Sequence, residues 1–333
     1  MFRAFLALSL VVCALACSRS QSRPESQPRS TESQPVDLQQ QEAVPFRFVA
    51  YGDTRFHDPR DTEASNPVAR RELVKAIADA HPAFISIGGD LSYNGNDPND
   101  WKVWDTETSV WREEKVPVYP AIGNHELHGD LNVALGNYFH RFPDLRNSRY
   151  YSVRIANTLL LVLDSALDEN SGPQAQWLNQ KLDGVPRDVD FVFLVFHHPP
   201  YTSASDKKEF GGGHSARSGE QMLAKTLESR QRNLRARIVV FNGHVHNYER
   251  HEHGGVTYFV TGGGGAHAYP IPRAAGDPYQ SKDVNYHYLL IEVDHQKLKV
   301  TMNRLDLTSG KPEWSQPDTV TITAPGMVKV ATQ

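Results

Sequence analysis

Short apolar runs, β-branched or aromatic, recur along the chain at FRFVAYGD (46–53), AFISIGGD (83–90), VPVYPAIGNH (116–125), TLLLVLDS (158–165), DFVFLVFHH (190–198), RIVVFNGHVH (237–246) and VTYFVTGGGG (256–265). Runs of this length and type predict buried strands. Between several of them the period changes to that of a helix. NPVARRELVKAIADA (66–80) places Val68, Leu73, Ile77 and Ala80 on an apolar face, and SGPQAQWLNQKL (171–182) offers Ser171 as a cap and Pro173 in the first turn. Alternating strands and helices predict an α/β domain. Further on, YHYLLIEVDHQKLKVTMNR (286–304) and DTVTITA (318–324) alternate without helices, which predicts antiparallel strands completing a second sheet. DPNDWKVWDTETSVWREE (97–114) reads as one helix over a sheet, with Trp101, Trp104 and Trp111 as packing.

The ends of the chain differ from this pattern. Residues 1–17 carry Arg3 and then an apolar run from Ala4 to Ala16, too short to span a bilayer and suited to a signal h-region. Export follows, to the periplasm or as an outer-membrane lipoprotein of a bacterium, or alternatively by secretion. The lipoprotein expectation rests on Cys17, which follows Ala-Leu-Ala as in a lipobox, although Ala14 stands where leucine is usual. Residues 18–44 are rich in Ser, Gln, Pro and charge with little to bury, and read as a disordered spacer. No internal repeat or second linker interrupts residues 45–333, which read as one domain. The two cysteines, Cys13 and Cys17, both lie in the leader, so a metal site in the domain must use His, Asp, Asn or Tyr. With 333 residues, 39% hydrophobic, and a formal charge of −4, the chain can bury a sizeable core and has no basic excess for a nucleic acid.

Five predicted strands close on polar motifs, GD, GGD, GNHE, HHPP and GHVH, and in α/β sheets ligands bind at the carboxyl ends of strands. A single Asp after glycine is common in turns and caps. Asp53 and Asp90, in successive βα units, are a different matter, because two carboxylates in one cleft repel unless a cation lies between them. Asn124 and His125 add a neutral oxygen and an imidazole. His197 and His198 end a strongly apolar strand, where one of them is expected to be a ligand. His244 and His246, two apart in extended chain, share a face. Together these supply O and N donors for two metals and no thiolate, which points to a binuclear hydrolytic centre rather than a structural zinc cage.

In order, GDTR, GDLSY, GNHE, FHHPPY and GHVHNYER resemble the five blocks of the calcineurin-like metallophosphoesterases, most closely the purple acid phosphatase branch, over residues 50–250. The resemblance implies a four-layer αββα sandwich of two mixed sheets flanked by helices. It also implies that Asp53, Asp90, Tyr93 and His246 hold one metal and Asp90, Asn124, His197 and His244 the other, with Asp90 bridging. Many relatives have histidine where this chain has Arg55, which has no lone pair to offer a metal and instead is expected to meet substrate phosphate. Tyr93 fits the tyrosine ligand of purple phosphatases, whose phenolate on ferric iron gives the colour. The cofactors implied are thus Fe(III) and a divalent Zn, Mn or Fe. His125 would donate to phosphoryl oxygens and His214 would help protonate the leaving alcohol, while His198 would stand behind the ligands. The implied activity is acid-phosphatase-type hydrolysis of a small phosphate monoester by a metal-activated hydroxide. The alternatives are a phosphodiesterase or nucleotide hydrolase of the same fold, or a non-catalytic surface module that retains it. Beyond these motifs, the glycine run at 262–265 would bring backbone close to the site, Glu249 and Arg250 would form an ion pair bracing the GHVH loop, and His251 and His253 would be exposed on a Gly-bounded hairpin.

Overall fold

The computed structural model describes residues 35–205 and 213–325. The leader, Cys17 and the spacer up to residue 34 lie outside these described residues. In chain order the strands are β1 (Val36–Gln40), β2 (Phe46–Tyr51), β3 (Ile85–Ile87), β4 (Val118–Pro120), β5 (Tyr151–Ile155), β6 (Thr158–Val162), β7 (Phe191–Val195), β8 (Arg237–Asn242), β9 (Tyr248–His253), β10 (Val256–Thr261), β11 (Tyr286–Asp294), β12 (Lys297–Asp306), β13 (Glu313–Ser315) and β14 (Thr319–Thr323). The helices are α1 (Pro67–Asp79), α2 (Pro98–Glu107), α3 (Ser109–Glu113), α4 (Leu131–Arg141), α5 (Gly172–Asp183) and α6 (Ser218–Gln231).

Every apolar run picked out above is a strand. They form two mixed sheets, one in the order β1-β5-β6-β7-β8-β10-β9 and the other β13-β12-β11-β2-β3-β4, with β14 on β12. β6, β7, β8 and β10 run parallel and β6, β7 and β10 are buried along their whole length, as continuous apolar strands covered on both faces must be. The alternating segment after residue 286 supplies β11, β12 and β14, all antiparallel, and β11 docks antiparallel on β2.

The sheets pack face to face through aromatic side chains. Phe48 of β2 meets Phe193 of β7 at 5.0 Å between ring centroids and Phe241 of β8 at 6.2 Å. A buried phenylalanine of this kind contributes about 2–3 kcal/mol relative to exposure. Trp177, Leu178 and Leu182 of α5 and Leu223 and Leu227 of α6 join the cluster on the outer face of the first sheet. Helices α1 to α3 serve the second sheet with Leu73, Val74, Ile77, Trp104 and Trp111. The architecture is the expected αββα sandwich.

Several local expectations change. Val36–Gln40, within the segment read as spacer, is a strand pairing parallel with β5, and its half-buried residues alternate. Gln40 then ties the two sheets, donating to Ala83 O at 2.8 Å and accepting from the Tyr119 hydroxyl at 3.0 Å. The Trp segment is two helices rather than one. Thr108 breaks it at φ −97°, its hydroxyl donating back to Trp104 O at 2.6 Å, a bond that competes with helix continuation. Trp101, Trp104 and Trp111 are buried as packing. Val68 is 49% exposed, because the five residues from it to Leu73 turn about 140° round the helix. Ser171 makes no side-chain cap bond, its hydroxyl bonding Asp168 instead.

Candidate metal centre

The site lies beyond the carboxyl ends of β2, β3, β4, β7 and β8. Parallel pairing of β2 and β3 continues past the strands, with Asp53 N donating to Gly89 O (3.0 Å), Arg55 N to Asp90 O (2.9 Å) and Phe56 N to Leu91 O (2.7 Å). This zipper fixes the two loops that carry the aspartates. Asp53, Arg55, Asp90 and His244 all have left-handed backbone, φ 58°, 42°, 54° and 69°. That conformation costs an L-residue about 1–2 kcal/mol, and here it turns polar side chains into the cleft. Glycine is needed where backbone meets backbone. A Cβ on Gly89 (φ 93°) would lie 2.8 Å from Gly123 N and 2.7 Å from His197 Nδ1, and one on Gly262 would collide with Val245 O and lie 2.8 Å from Asp53 Oδ2. The glycine run thus approaches the site as expected.

Ring tautomers follow from the partners. His197 Nδ1 is 2.8 Å from Gly88 O, a group that can accept but not donate, so Nδ1 carries the proton and Nε2 presents a lone pair. That Nε2 faces Asn124 Oδ1 at 3.0 Å and Asp90 Oδ1 at 3.3 Å. His246 repeats the arrangement: Nδ1 is 2.8 Å from His267 O, and Nε2 is buried with no hydrogen-bond partner, 3.6 Å from Asp53 Oδ1. Imidazoles whose second nitrogen donates to a backbone carbonyl are the usual form of a metal-bound histidine. His244 Nδ1 is 3.2 Å from His197 Nε2. Donor atoms of Asp53, Asp90 and His197, and those of His197, His198 and His244, lie close enough together to share a cation. Acceptor atoms that converge in a buried pocket fit cations, and this donor set of carboxylate, amide and imidazole suits iron, zinc or manganese.

Charge tells the same story. Burial, and then the neighbouring Asp90, push Asp53 well above the carboxylate range, although its oxygens accept the His244 amide at 3.0 and 2.9 Å. For Asp90 burial acts upward too, but the imidazoles of His197 and His125 whenever they carry a proton, the guanidinium of Arg55 and the His125 amide donating to Oδ1 at 3.0 Å oppose it and hold the group well below its usual value. Burial depresses His197, and depresses His244 and His246 well below the ordinary imidazole value, so all three stay neutral.

Around this core stand the other residues singled out from sequence. Arg55 Nη2 is 3.4 Å from Asp90 Oδ2, and its Nε is buried without a partner. His125 lies 2.5 Å from Tyr93 O through Nδ1 and 3.8 Å from Asp90 Oδ2 through Nε2, and burial lowers it to about 4. The Tyr93 ring packs against His125 with centroids 5.5 Å apart. His214 sits over the pair from the GHVH loop, 4.6 Å from the His244 ring and 5.5 Å from that of His246. His198 bonds Ser165 Oγ at 2.8 Å, with its ring 4.3 Å from that of His244.

Sequence reasoning passed over a layer of supports. Glu126, fully buried, accepts the amides of Asp90 (2.8 Å) and Gly123 (2.8 Å) on one oxygen and those of Leu91 (2.8 Å) and Ser92 (3.1 Å) on the other. It staples the GGD loop to the GNHE loop. Buried Arg70 binds Glu107 through two nitrogens (2.7 and 3.0 Å) and also donates to the carbonyl of Arg55 (3.1 Å). The available signal was an acid inside a site motif and an Arg on the buried face of a helix. Two readings are corrected. Glu249 does not pair with Arg250, since consecutive strand residues point to opposite faces. Glu249 accepts from Thr202 and Ser203, and Arg250 binds Asp318 at 2.9 Å. His251, on the Glu249 face, is buried 3.3 Å from that carboxylate, while His253 is exposed.

Comparison with known proteins agrees with this picture. The calcineurin-like phosphoesterase family profile matches residues 46–248. Purple acid phosphatase 1 of Ipomoea batatas is 28% identical over 228 residues, 63% of this chain and 44% of that protein. The Fe(3+)-Zn(2+) purple acid phosphatase 12 of Arabidopsis thaliana is 28% identical over 224 residues, with the same coverage, 63% and 44%. The chain therefore spans about half the length of these curated relatives. Among solved structures, the purple acid phosphatase PPD1 from yellow lupin (Lupinus luteus) seeds superposes with a TM-score of 0.63 at 20% identity, covering 85% of this chain and 54% of that one.

Proposed function

The chain belongs to the calcineurin-like phosphoesterase family, and from that premise we propose that it is a binuclear metal-dependent phosphohydrolase acting on small phosphomonoesters. The observation that carries this reading is the convergence of the acceptor atoms His197 Nε2, Asn124 Oδ1 and Asp90 Oδ1, beside the unpartnered Nε2 of His246. In this reading Asp53, Asp90, Tyr93 and His246 hold one ion, Asp90, Asn124, His197 and His244 the other, and Asp90 serves both. The pair is Fe(III) with divalent Zn, Mn or Fe, a choice supported by Tyr93 and by the Fe(3+)-Zn(2+) name of one relative. When bound, two such ions ionise a water at neutral pH and neutralise charge on the phosphoryl group.

The chain's own residues do the rest. Gly88 O and His267 O lock His197 and His246 with Nε2 toward the cleft. Arg55 offers the donors a phosphomonoester dianion needs, and its fork is already at the mouth of the Asp90 carboxylate. His125, with Nδ1 on the Tyr93 carbonyl, donates to a phosphoryl oxygen from Nε2 once the substrate's negative charge has drawn a proton there. His214, over His244 and His246, delivers the proton to the leaving alkoxide.

Residues 1–17 and Cys17 support export with a lipid anchor, and the catalytic domain in this reading begins at Val36, where β1 joins the first sheet, rather than at residue 45. Among the described residues no helix is long and apolar enough to cross a membrane. The test is metal analysis of purified protein with a visible spectrum, beside hydrolysis of a nitrophenyl monoester and its diester. Two ions per chain, a tyrosinate band and preference for the monoester are expected. Preference for the diester would favour a phosphodiesterase, and hydrolysis of neither ester by metal-replete protein would favour a non-catalytic module.

A further inference from the structure

The loop that carries Tyr93 is gripped from a side that the proposed ligands do not touch. Tyr93 N donates to Phe56 O at 3.1 Å, and Asn94 N to Asp100 Oδ2 at 2.9 Å. The other oxygen of Asp100 lies 2.5 Å from His57 Nδ1. Asp100 is 2% exposed in the first turn of α2, so its place is set by the packing of that helix. His57 has a second carboxylate at its other ring nitrogen, Asp61 Oδ2 at 3.3 Å from Nε2. An imidazole with an acid at each nitrogen cannot turn about its Cβ–Cγ bond without losing a contact. Its backbone is held as well, since the His57 carbonyl accepts from buried Arg70 Nη2 at 3.3 Å.

This immobilised ring lies against Tyr93, with centroids 4.5 Å apart and planes at 43°. Tyr93 also meets the His125 ring, at 5.5 Å. The phenol ring is therefore in contact with two imidazoles, one anchored by Asp100 and the other by the carbonyl of Tyr93 itself.

We propose that His57, clamped by Asp100, is a positioning residue for Tyr93, restricting the phenol ring by its contact and so setting the angle at which its oxygen meets the ion. The inference rests on the reading of Tyr93 as a metal ligand, but its physical content, a single ring orientation, holds without metal. Neither His57 nor Asp100 belongs to the set of donors, so their removal acts on the ring and leaves both ion sites with their ligands.

Two measurements test it. In iron-loaded protein, His57→Ala and Asp100→Ala keep the iron content of the unsubstituted protein but show a displaced and weaker visible band. His57→Phe, which keeps a ring against Tyr93 without the grip of Asp100, falls between. In metal-free protein carrying 3-fluorotyrosine at position 93, the fluorine resonance reports one ring orientation, which in His57→Ala becomes two or an averaged signal. An unchanged resonance in His57→Ala, with thermal melting showing a folded chain, overturns the proposal. An unchanged band at equal iron content overturns it as well. Failure of the ligand reading looks different: Tyr93→Phe would then keep the wild-type spectrum, while the fluorine measurement would still decide the role of His57.

Discussion

The Nδ1 of His244 sits 3.2 Å from the Nε2 of His197, although one residue ends β7 and the other follows β8. His197 has already committed its proton to Gly88 O, so the nitrogen facing His244 is a lone pair. In the metal-free protein the Nδ1 proton of His244 fills the gap; a cation takes its place when the ring adopts its other tautomer, with the proton on Nε2. Burial and Asp90 push the Asp53 carboxyl upward, and it must be ionised to bind. Metal uptake is therefore expected to release protons from Asp53, increasingly so as the pH is lowered. Calorimetric titration in two buffers of different ionisation enthalpy measures it, and equal heats in both would contradict the protonation states described.

Asp90→Asn should lose both ions, because Oδ1 faces His197 while Oδ2 faces Arg55 and His125. Turnover is expected to fall by roughly a thousand-fold or more, the scale of several kcal/mol of lost charge stabilisation. Metal analysis of the variant is the check; full occupancy would contradict the bridging role.

Glu126→Ala leaves four buried amides without their acceptor. At about 1–3 kcal/mol for each buried donor left unmet, and with partial rescue by entering water, a loss of several kcal/mol is expected. Ser171→Ala, which removes a hydroxyl that caps nothing, should change stability by less than about 0.5 kcal/mol. Urea unfolding of the two variants side by side separates them.

Acid should destabilise the metal-free fold through histidines that are buried neutral. Burial lowers His287 and His125 from about 6.5 to about 4. In the window between those values the unfolded chain binds the proton and the folded chain does not. Stability is therefore fully present above pH 6.5 and is lost as pH falls toward 4, on the order of 3 kcal/mol for His287. Unfolding midpoints at pH 7, 5.5 and 4 give the slope, and His287→Asn should flatten it.

Arg55→Ala is expected to lower kcat/KM for a nitrophenyl monoester by about ten- to hundredfold, the scale of a charge-assisted hydrogen bond. Hydrolysis of the diester, with one negative charge fewer, should suffer less. Equal losses on both substrates would remove Arg55 from recognition of the dianion.

What could be read from sequence was whatever repeats at short range. FVFLV and RIVVFN declared buried parallel strands because a strand covered on both faces has no polar side, and GNHE and GHVH declared a polar cleft because polar groups directly after such strands fall at one edge of a sheet. Residues whose partner is far along the chain were silent. Gln40 looked like part of a polar spacer until β5 gave it a ladder and Ala83 and Tyr119 gave its amide partners. Glu126 looked like one more letter of a motif, and three of its four amide partners come from the GGD loop more than thirty residues away. Arg250 could be matched to the neighbouring Glu249 on paper, but the two-residue period of a strand separates them.

The sequence by itself determined most of the element types and the chemical kind of the polar groups at the strand ends, since hydrophobic period and residue type are local properties, while the layering came through the family resemblance. Tertiary structure alone decided which ring nitrogen points into the cleft, which carboxylate stays ionised and which side chains brace the loops. Those depend on carbonyls, amides and charges brought within a few ångströms by two sheets folding against each other, and a linear chain does not contain such distances.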